Sequence, residues 1–203
     1  RETSDAKLTE RGVDATLKTE IAYFRAEARF LRAFDYVQLM DLFGNVPITT
    51  EADPVGFYNP VQKSRAEVFA FVEKELKDLD SSLKASKANE YGRIDKTAAK
   101  FLLAKIYLNA KVYTGTAKNT ECITACKEVM ASGYSFANVP YFHLFSADNN
   151  TNGAQAEIIF PVVGDGNFIR ATGAGMSFIM HASIGGSMNA SSRGMDGGWQ
   201  GIR

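Results

Sequence analysis

The sequence carries no surplus of charge, with 23 Lys and Arg against 23 Asp and Glu. A balanced chain has no bulk electrostatic attraction to nucleic acid or to an anionic membrane. No apolar run approaches the roughly 18 residues that a membrane-spanning helix requires. Histidine is scarce: His143 and His181 stand far apart and form no ligand-spaced cluster. Nucleophile elbow, zinc-protease helix and phosphate loop are all missing, so nothing calls for catalysis, a cofactor or a metal. No signal peptide or lipidation site is visible at Arg1–Ser4, and the chain therefore states no address of its own. Only two cysteines occur, Cys122 and Cys126. Four residues apart on a helix, they share a face with Val129 and Met130, which predicts small buried hydrophobes. A two-thiolate metal site would need further ligands that the neighbouring sequence does not supply.

What is present is a globular composition, 45% hydrophobic and 11% aromatic over 203 residues, enough for a sizeable core. The chain is organised around one long helix. Nothing from Leu17 to Phe43 breaks it, Ala, Glu, Arg and Leu favour it, and Gly44 and Pro47 stop it. At roughly 100° per residue, Arg25, Arg29, Arg32 and Tyr36 fall on one narrow strip. Ile21, Phe24, Ala28, Phe30, Leu31, Phe34 and Val37 cover most of the remainder, so the helix should be buried on more than one side. Glu27, Gln38 and Asp41 lie in that apolar arc and are expected to be buried polar groups. A buried carboxylate costs several kcal/mol unless paired, so Glu27 needs a cation or hydrogen-bond donors. A structural ion pair and a catalytic acid are the two readings.

Further helices come next. Ser64 and Glu67 form a capping box ahead of an amphipathic helix reaching Leu83. Asp95 caps a third helix to about Tyr113, ended by Gly115, and a fourth runs from about Asn119 to Ser132, closed by Gly133. These predict two antiparallel hairpins, at about 17–83 and 95–132, the second close to the roughly 34 residues of a tetratricopeptide unit. An ordinary helical bundle is the alternative. After Gly133 the character changes: 11 of the 17 glycines lie from Gly153 onward, where lysine is absent. Glu157–Val163 reads as a short buried strand and the residues beyond as long loops. Asp148-Asn149-Asn150-Thr151-Asn152-Gly153 matches the first half of a calcium loop, but Ile159 stands where the bidentate carboxylate belongs, which favours a polar turn. The expected organisation is a helical scaffold over 1–135 and a loop-rich region over 136–203, parts of one domain.

Several stretches carry a family resemblance. Glu27-Ala28-Arg29-Phe30-Leu31-Arg32-Ala33-Phe34-Asp35-Tyr36, with Leu42-Phe43-Gly44-Asn45-Val46-Pro47 after it, resembles the signature helix of the SusD/RagB family, the cell-surface nutrient-binding lipoproteins of Bacteroidota. Arg93-Ile94-Asp95-Lys96 through Tyr107-Leu108 is similar to the family's second helical signature. Glu128–Tyr134, Glu157–Phe160 and Gly198–Arg203 resemble its later motifs in the same order. The resemblance implies a mainly α fold, tetratricopeptide-like antiparallel helical hairpins followed by a loop-rich region with short strands. It also implies that the chain corresponds to an internal portion of a longer member.

The function that the resemblance implies is non-catalytic. An oligosaccharide nutrient would be captured at the outer-membrane surface and delivered to a SusC-like TonB-dependent transporter, as in polysaccharide utilisation. Membrane attachment would come through a lipid anchor absent from this chain. A peptide- or protein-binding helical-repeat scaffold is the alternative, and a glycosidase ranks third, since no two carboxylates are seen to converge. The one tryptophan, Trp199, sits among Gly197, Gly198 and Gly201. It reads either as a pin holding its loop to the scaffold or as a stacking platform for a sugar ring. In the second reading Asn189, Arg193 and Asp196 supply polar contacts.

Overall fold

In a computed structural model, residues 3–146 and 148–163 can be described. Among them the fold is built from six helices: α1 (Asp5–Glu10), α2 (Ala15–Phe43), α3 (Arg65–Asp78), α4 (Lys96–Leu108), α5 (Ala110–Thr114) and α6 (Asn119–Met130). One two-residue antiparallel ladder joins β1 (Val46–Pro47) to β2 (Gln62–Lys63). The chain divides after Pro161 into two units, and all of these elements belong to the first.

Local chemistry sets the helix ends. Asp14 accepts from the Leu17 amide to start α2, and Ser64 and Glu67 close a reciprocal capping box on α3. Asp95 caps α4 through the Thr97 and Ala98 amides. Gly44 ends α2 at φ 73° and ψ −87°, a conformation that costs any side-chain-bearing residue. A Cβ there would also stand 3.1 Å from the Arg65 guanidinium. Beyond it the β1–β2 ladder ties together the two ends of the 48–61 loop. The sequence predicts one helix over 95–113; Asn109 instead separates α4 from α5, and α3 tightens into a 3₁₀ turn at Leu79–Ser81.

Consecutive long helices run antiparallel, as pairs of contacts show. Arg29 meets Glu75 and Tyr36 meets Phe71 across α2 and α3. Asp80, in the 3₁₀ turn that continues α3, meets Lys100 of α4, and Glu73 of α3 meets Tyr107 of α4. Lys100 meets Glu128, and the Cys122 thiol donates to the Ala104 carbonyl at 3.4 Å, across α4 and α6. The architecture is therefore mainly α, with tetratricopeptide-like hairpins, as the sequence predicts. α4 is the central element, burying Ala98, Ala99, Leu102, Leu103, Ile106 and Tyr107. Its alanines let its neighbours approach closely.

α2 buries a single stripe, Ala26, Phe30, Ala33, Val37 and Met40, with Glu27 and Tyr36 beside it. The wider apolar arc expected from the wheel is not covered: Phe24 is 48% and Leu31 44% exposed. Of the arginine strip, Arg29 and Arg32 are instead turned toward α3, while Arg25 stays exposed. Glu75, itself buried, takes two bonds from Arg29 (3.1 and 2.8 Å) and one from Arg32 (2.7 Å). Burial alone would push this carboxyl up, but the guanidinium hydrogen bonds outweigh it and hold it below the usual carboxylate range.

Three further expectations are corrected. Asp41 is exposed, not buried, because it lies a helical step beyond Met40, off the covered stripe; it accepts from the Tyr113 hydroxyl at 2.8 Å. On α6 only Ala125 is buried, while Cys122 is half-buried, Cys126 exposed and Met130 80% exposed, since α4 covers that helix from one side. Glu157–Val163 is irregular. Ile159 and Phe160 pack against the helical core with no partner strand among the described residues, and so gain partial burial without a ladder, while Val162 and Val163 are exposed.

Candidate functional site

The turn between α3 and α4 is held from below by two carboxylates. Asp95, 2% exposed, accepts four bonds: from the Thr97 and Ala98 amides, the Lys87 amide at 2.7 Å and the Tyr134 hydroxyl at 2.8 Å. Burial, then the bond to Asp95, push the Tyr134 hydroxyl well above its ordinary range. Lys87 sits at φ 59°, the one non-glycine residue with positive φ among the described residues. Its ammonium bonds the Gly133 carbonyl at 3.1 Å and lies over the Tyr134 ring. Glu27, 8% exposed, rises from α2 to clamp the far side. It accepts from Arg93 Nε at 2.7 Å and Nη2 at 2.5 Å, and from Asn89 Nδ2 at 3.2 Å. The bond to Glu27 raises the Arg93 pKa further above its ordinary value. Asn89 also donates to the Ile94 carbonyl at 2.8 Å, which closes the turn on itself.

The segment Gln155–Pro161 crosses these elements and leaves a recess on each side. One is a pocket of about 150 Å³ between Asn89–Arg93, Tyr134 and Gln155, with Ile158, Ile159 and Pro161 completing its wall. The other is an apolar groove of about 370 Å³ lined by Phe30, Phe34, Phe101, Leu102 and Phe160, with Lys105 and Glu157 at its edge. Phe160 meets Phe30 and Phe34 edge-on, with centroids 5.7 and 6.4 Å apart. A third recess, about 440 Å³, lies over the first half of α2 and involves Tyr23, Arg25, Arg29, Ser81 and Ser82.

The buried charge is chemically committed. Glu73 accepts from Lys77, Lys118 and Tyr107. Burial would raise its pKa, but those donors lower it overall. Tyr107 is pushed up to about 12 by burial and by Glu73. Carboxylates held charged by cations are the reverse of a general acid, which needs a raised pKa. Among the described residues, no group of three or more His, Cys, Asp or Glu could hold a metal ion. Nor is any described helix long and apolar enough to cross a membrane. Asp148–Gly153 forms a polar turn, in which Asn152 Nδ2 bonds Asp148 Oδ1 at 3.1 Å. Trp199, Asn189, Arg193 and Asp196 lie outside the described residues. Sequence reasoning passed over the Tyr91–Gln155 pocket, because neither residue belongs to a motif and 63 residues separate them. Only the exposed, turn-borne Tyr91 could have drawn attention.

Comparison with known proteins is decisive. The profile of the SusD-like family described as "Starch-binding associating with outer membrane" matches residues 7–108. The chain belongs to the SusD-like family. The starch-binding protein SusD of Bacteroides thetaiotaomicron is 34% identical over 165 residues, which cover 80% of this chain and 29% of that protein. A SusD-like protein from Bacteroides fragilis superposes with a TM-score of 0.60 at 26% identity, over 78% of this chain and 31% of the other. A laminarin-binding SusD-like protein superposes with a TM-score of 0.56, also at 26% identity, over 73% and 33%. The chain thus spans about a third or less of the relatives it matches. Both helical signatures fall on elements of the first unit: Glu27–Tyr36 on the buried stripe of α2, and Arg93–Leu108 on the Glu27 clamp and α4.

Proposed function

We propose that this chain is part of a non-catalytic cell-surface protein that captures an oligosaccharide and hands it to a SusC-like TonB-dependent transporter in the outer membrane. The observation that carries the proposal is the 34% identity to a starch-binding protein along 80% of the chain. The laminarin-binding structural relative points to the same ligand class. Glucans suit the chemistry, because sugar rings have apolar faces for aromatic side chains and hydroxyls for a few placed polar groups. Capture and release require no bond to break, which agrees with buried carboxylates committed to ion pairs. The helices act as a rigid base, and the loop-rich region over 136–203 presents the ligand contacts, with Trp199 as the stacking platform and Asn189, Arg193 and Asp196 as its polar partners.

Titration with maltoheptaose and laminarihexaose by calorimetry tests the proposal, alongside Trp199→Ala. Binding by the wild type, lost in the variant at unchanged melting temperature, is the expected result. A large drop in melting temperature, or intact binding, makes Trp199 structural. Binding to a peptide library in place of every glycan transfers the reading to a peptide-binding scaffold, and turnover of either glucan refutes the absence of catalysis.

A further inference from the structure

We infer that the pocket between the Asn89–Arg93 turn and the Gln155–Pro161 segment is a separate subsite that holds one ring of a neutral oligosaccharide. The inference rests on the glycan reading and adds a location and a selectivity to it. At about 150 Å³ the pocket is smaller than the roughly 300–1,000 Å³ that holds drug-sized ligands, so it admits a single ring and not a run of them.

Its walls divide into groups already bonded and groups still open. Two of the strong charges are engaged, Arg93 on Glu27 and Asp95 on four donors, while the exposed Lys87 ammonium bonds the neutral Gly133 carbonyl and keeps its charge. What remains open is a phenol, an amide and one carboxylate. Tyr91 is 42% exposed, and its hydroxyl has no hydrogen-bond partner among the described residues. Burial, with no other cause, raises its pKa, so it stays a neutral donor. Gln155 uses Oε1 to accept from the Gly153 amide at 2.8 Å, which leaves Nε2 free to donate to a ligand. The exposed Glu90 carboxylate accepts no hydrogen bond among the described residues and can accept from hydroxyls. With Glu90 and Asp95 set against Lys87, and Arg93 neutralised by Glu27, the lining carries no excess of positive charge and favours a neutral polyol over an anion. The Tyr91 ring supplies an apolar face for the C–H side of a pyranose.

The pocket is also preorganised. Lys87 holds a left-handed backbone conformation that is sparsely populated for a non-glycine residue. Its amide bond to Asp95 and its ammonium bond to Gly133 over-determine that geometry. The floor against which a ring would settle is therefore built before any ligand arrives.

The test uses the whole chain, with maltoheptaose and laminarihexaose as probes. Tyr91→Ala should weaken binding by about tenfold, whereas Tyr91→Phe, which keeps the face and loses the hydroxyl, should weaken it by only about threefold. Both should melt with the wild type, since Tyr91 is nearly half exposed. In the wild type the Gln155 side-chain amide resonance should shift during the titration, a response that a merely structural tyrosine would not produce. Wild-type affinity in Tyr91→Ala, with a stationary Gln155 amide, overturns the subsite and leaves the glycan reading intact. Wild-type protein that binds neither probe overturns the glycan reading, and the subsite with it.

Discussion

Replacing Glu27 with alanine tests how the signature helix is joined to the rest of the fold. The carboxylate is 8% exposed and takes two bonds from Arg93 and one from Asn89, across 66 and 62 residues of sequence. Breaking a fully buried pair from one side costs about 3–5 kcal/mol, because the surviving charge is stranded. Here the Arg93 side chain keeps 30% of its surface in solvent and lies over the Phe24 ring, 4.9 Å from its centroid. The guanidinium can rehydrate in part, and Asn89 keeps its bond to Ile94. The discounted cost is about 2–3 kcal/mol. For a chain of this length that corresponds to a fall in melting temperature of about 5–10 °C. Glu27→Gln keeps the shape and two of the contacts and should cost about half as much. Converting both Glu27 and Arg93 to leucine removes the stranded charge and should recover at least half of the single-mutant loss. Urea denaturation of the wild type, Glu27→Leu, Arg93→Leu and the double variant closes a double-mutant cycle and measures the coupling directly. A loss under about 0.5 kcal/mol for Glu27→Ala, typical of an open surface site, would refute the reasoning. Strict additivity of the two single changes would refute it as well.

The same physics governs two other perturbations. Because Glu75 titrates below its unfolded value near 4.3, the stability it contributes is complete above that value and is lost as pH falls through the lower folded one; the urea midpoint should drop on acidification below about pH 4, and Glu75→Gln should flatten that limb, so an equal slope in both proteins contradicts the assignment. Gly44→Ala forces an L-residue to φ 73° against the Arg65 guanidinium and should cost about 1–3 kcal/mol, read by the same denaturation; a neutral change would mean that α2 ends by another device.

Much of the helical plan was legible because helices announce themselves locally. The Ser64–Glu67 box, the Asp95 cap, and the stops at Gly44 and Gly115 each act within four residues of their own position. Twenty-nine consecutive residues form α2 for reasons contained in those residues. The need of Glu27 for a partner was equally local, because its place in an apolar arc raises the cost of leaving it unpaired. The identity of that partner was not local.

Only the tertiary structure decided which faces were covered. Periodicity says which residues share a face, but nothing about the neighbour that arrives there. The wheel put Arg29 and Arg32 on one strip but could not name what meets them: Glu75, 46 residues from Arg29, lies against both. Leu31 and Phe24 looked like core and remain half exposed. Met130 and Cys126 share a face that α4 leaves open, and Asp41 falls one step outside the covered stripe. Glu157–Phe160 had the composition of a strand, but Phe160 found helix aromatics at Phe30 and Phe34 before any partner strand. The pocket at Tyr91 exists only because a turn and a distant segment meet above a clamped carboxylate. A sequence alone determines the local free energies of its helices and their ends; the burial of each side chain is a property of the pair of surfaces that meet, and the second surface is set by the fold.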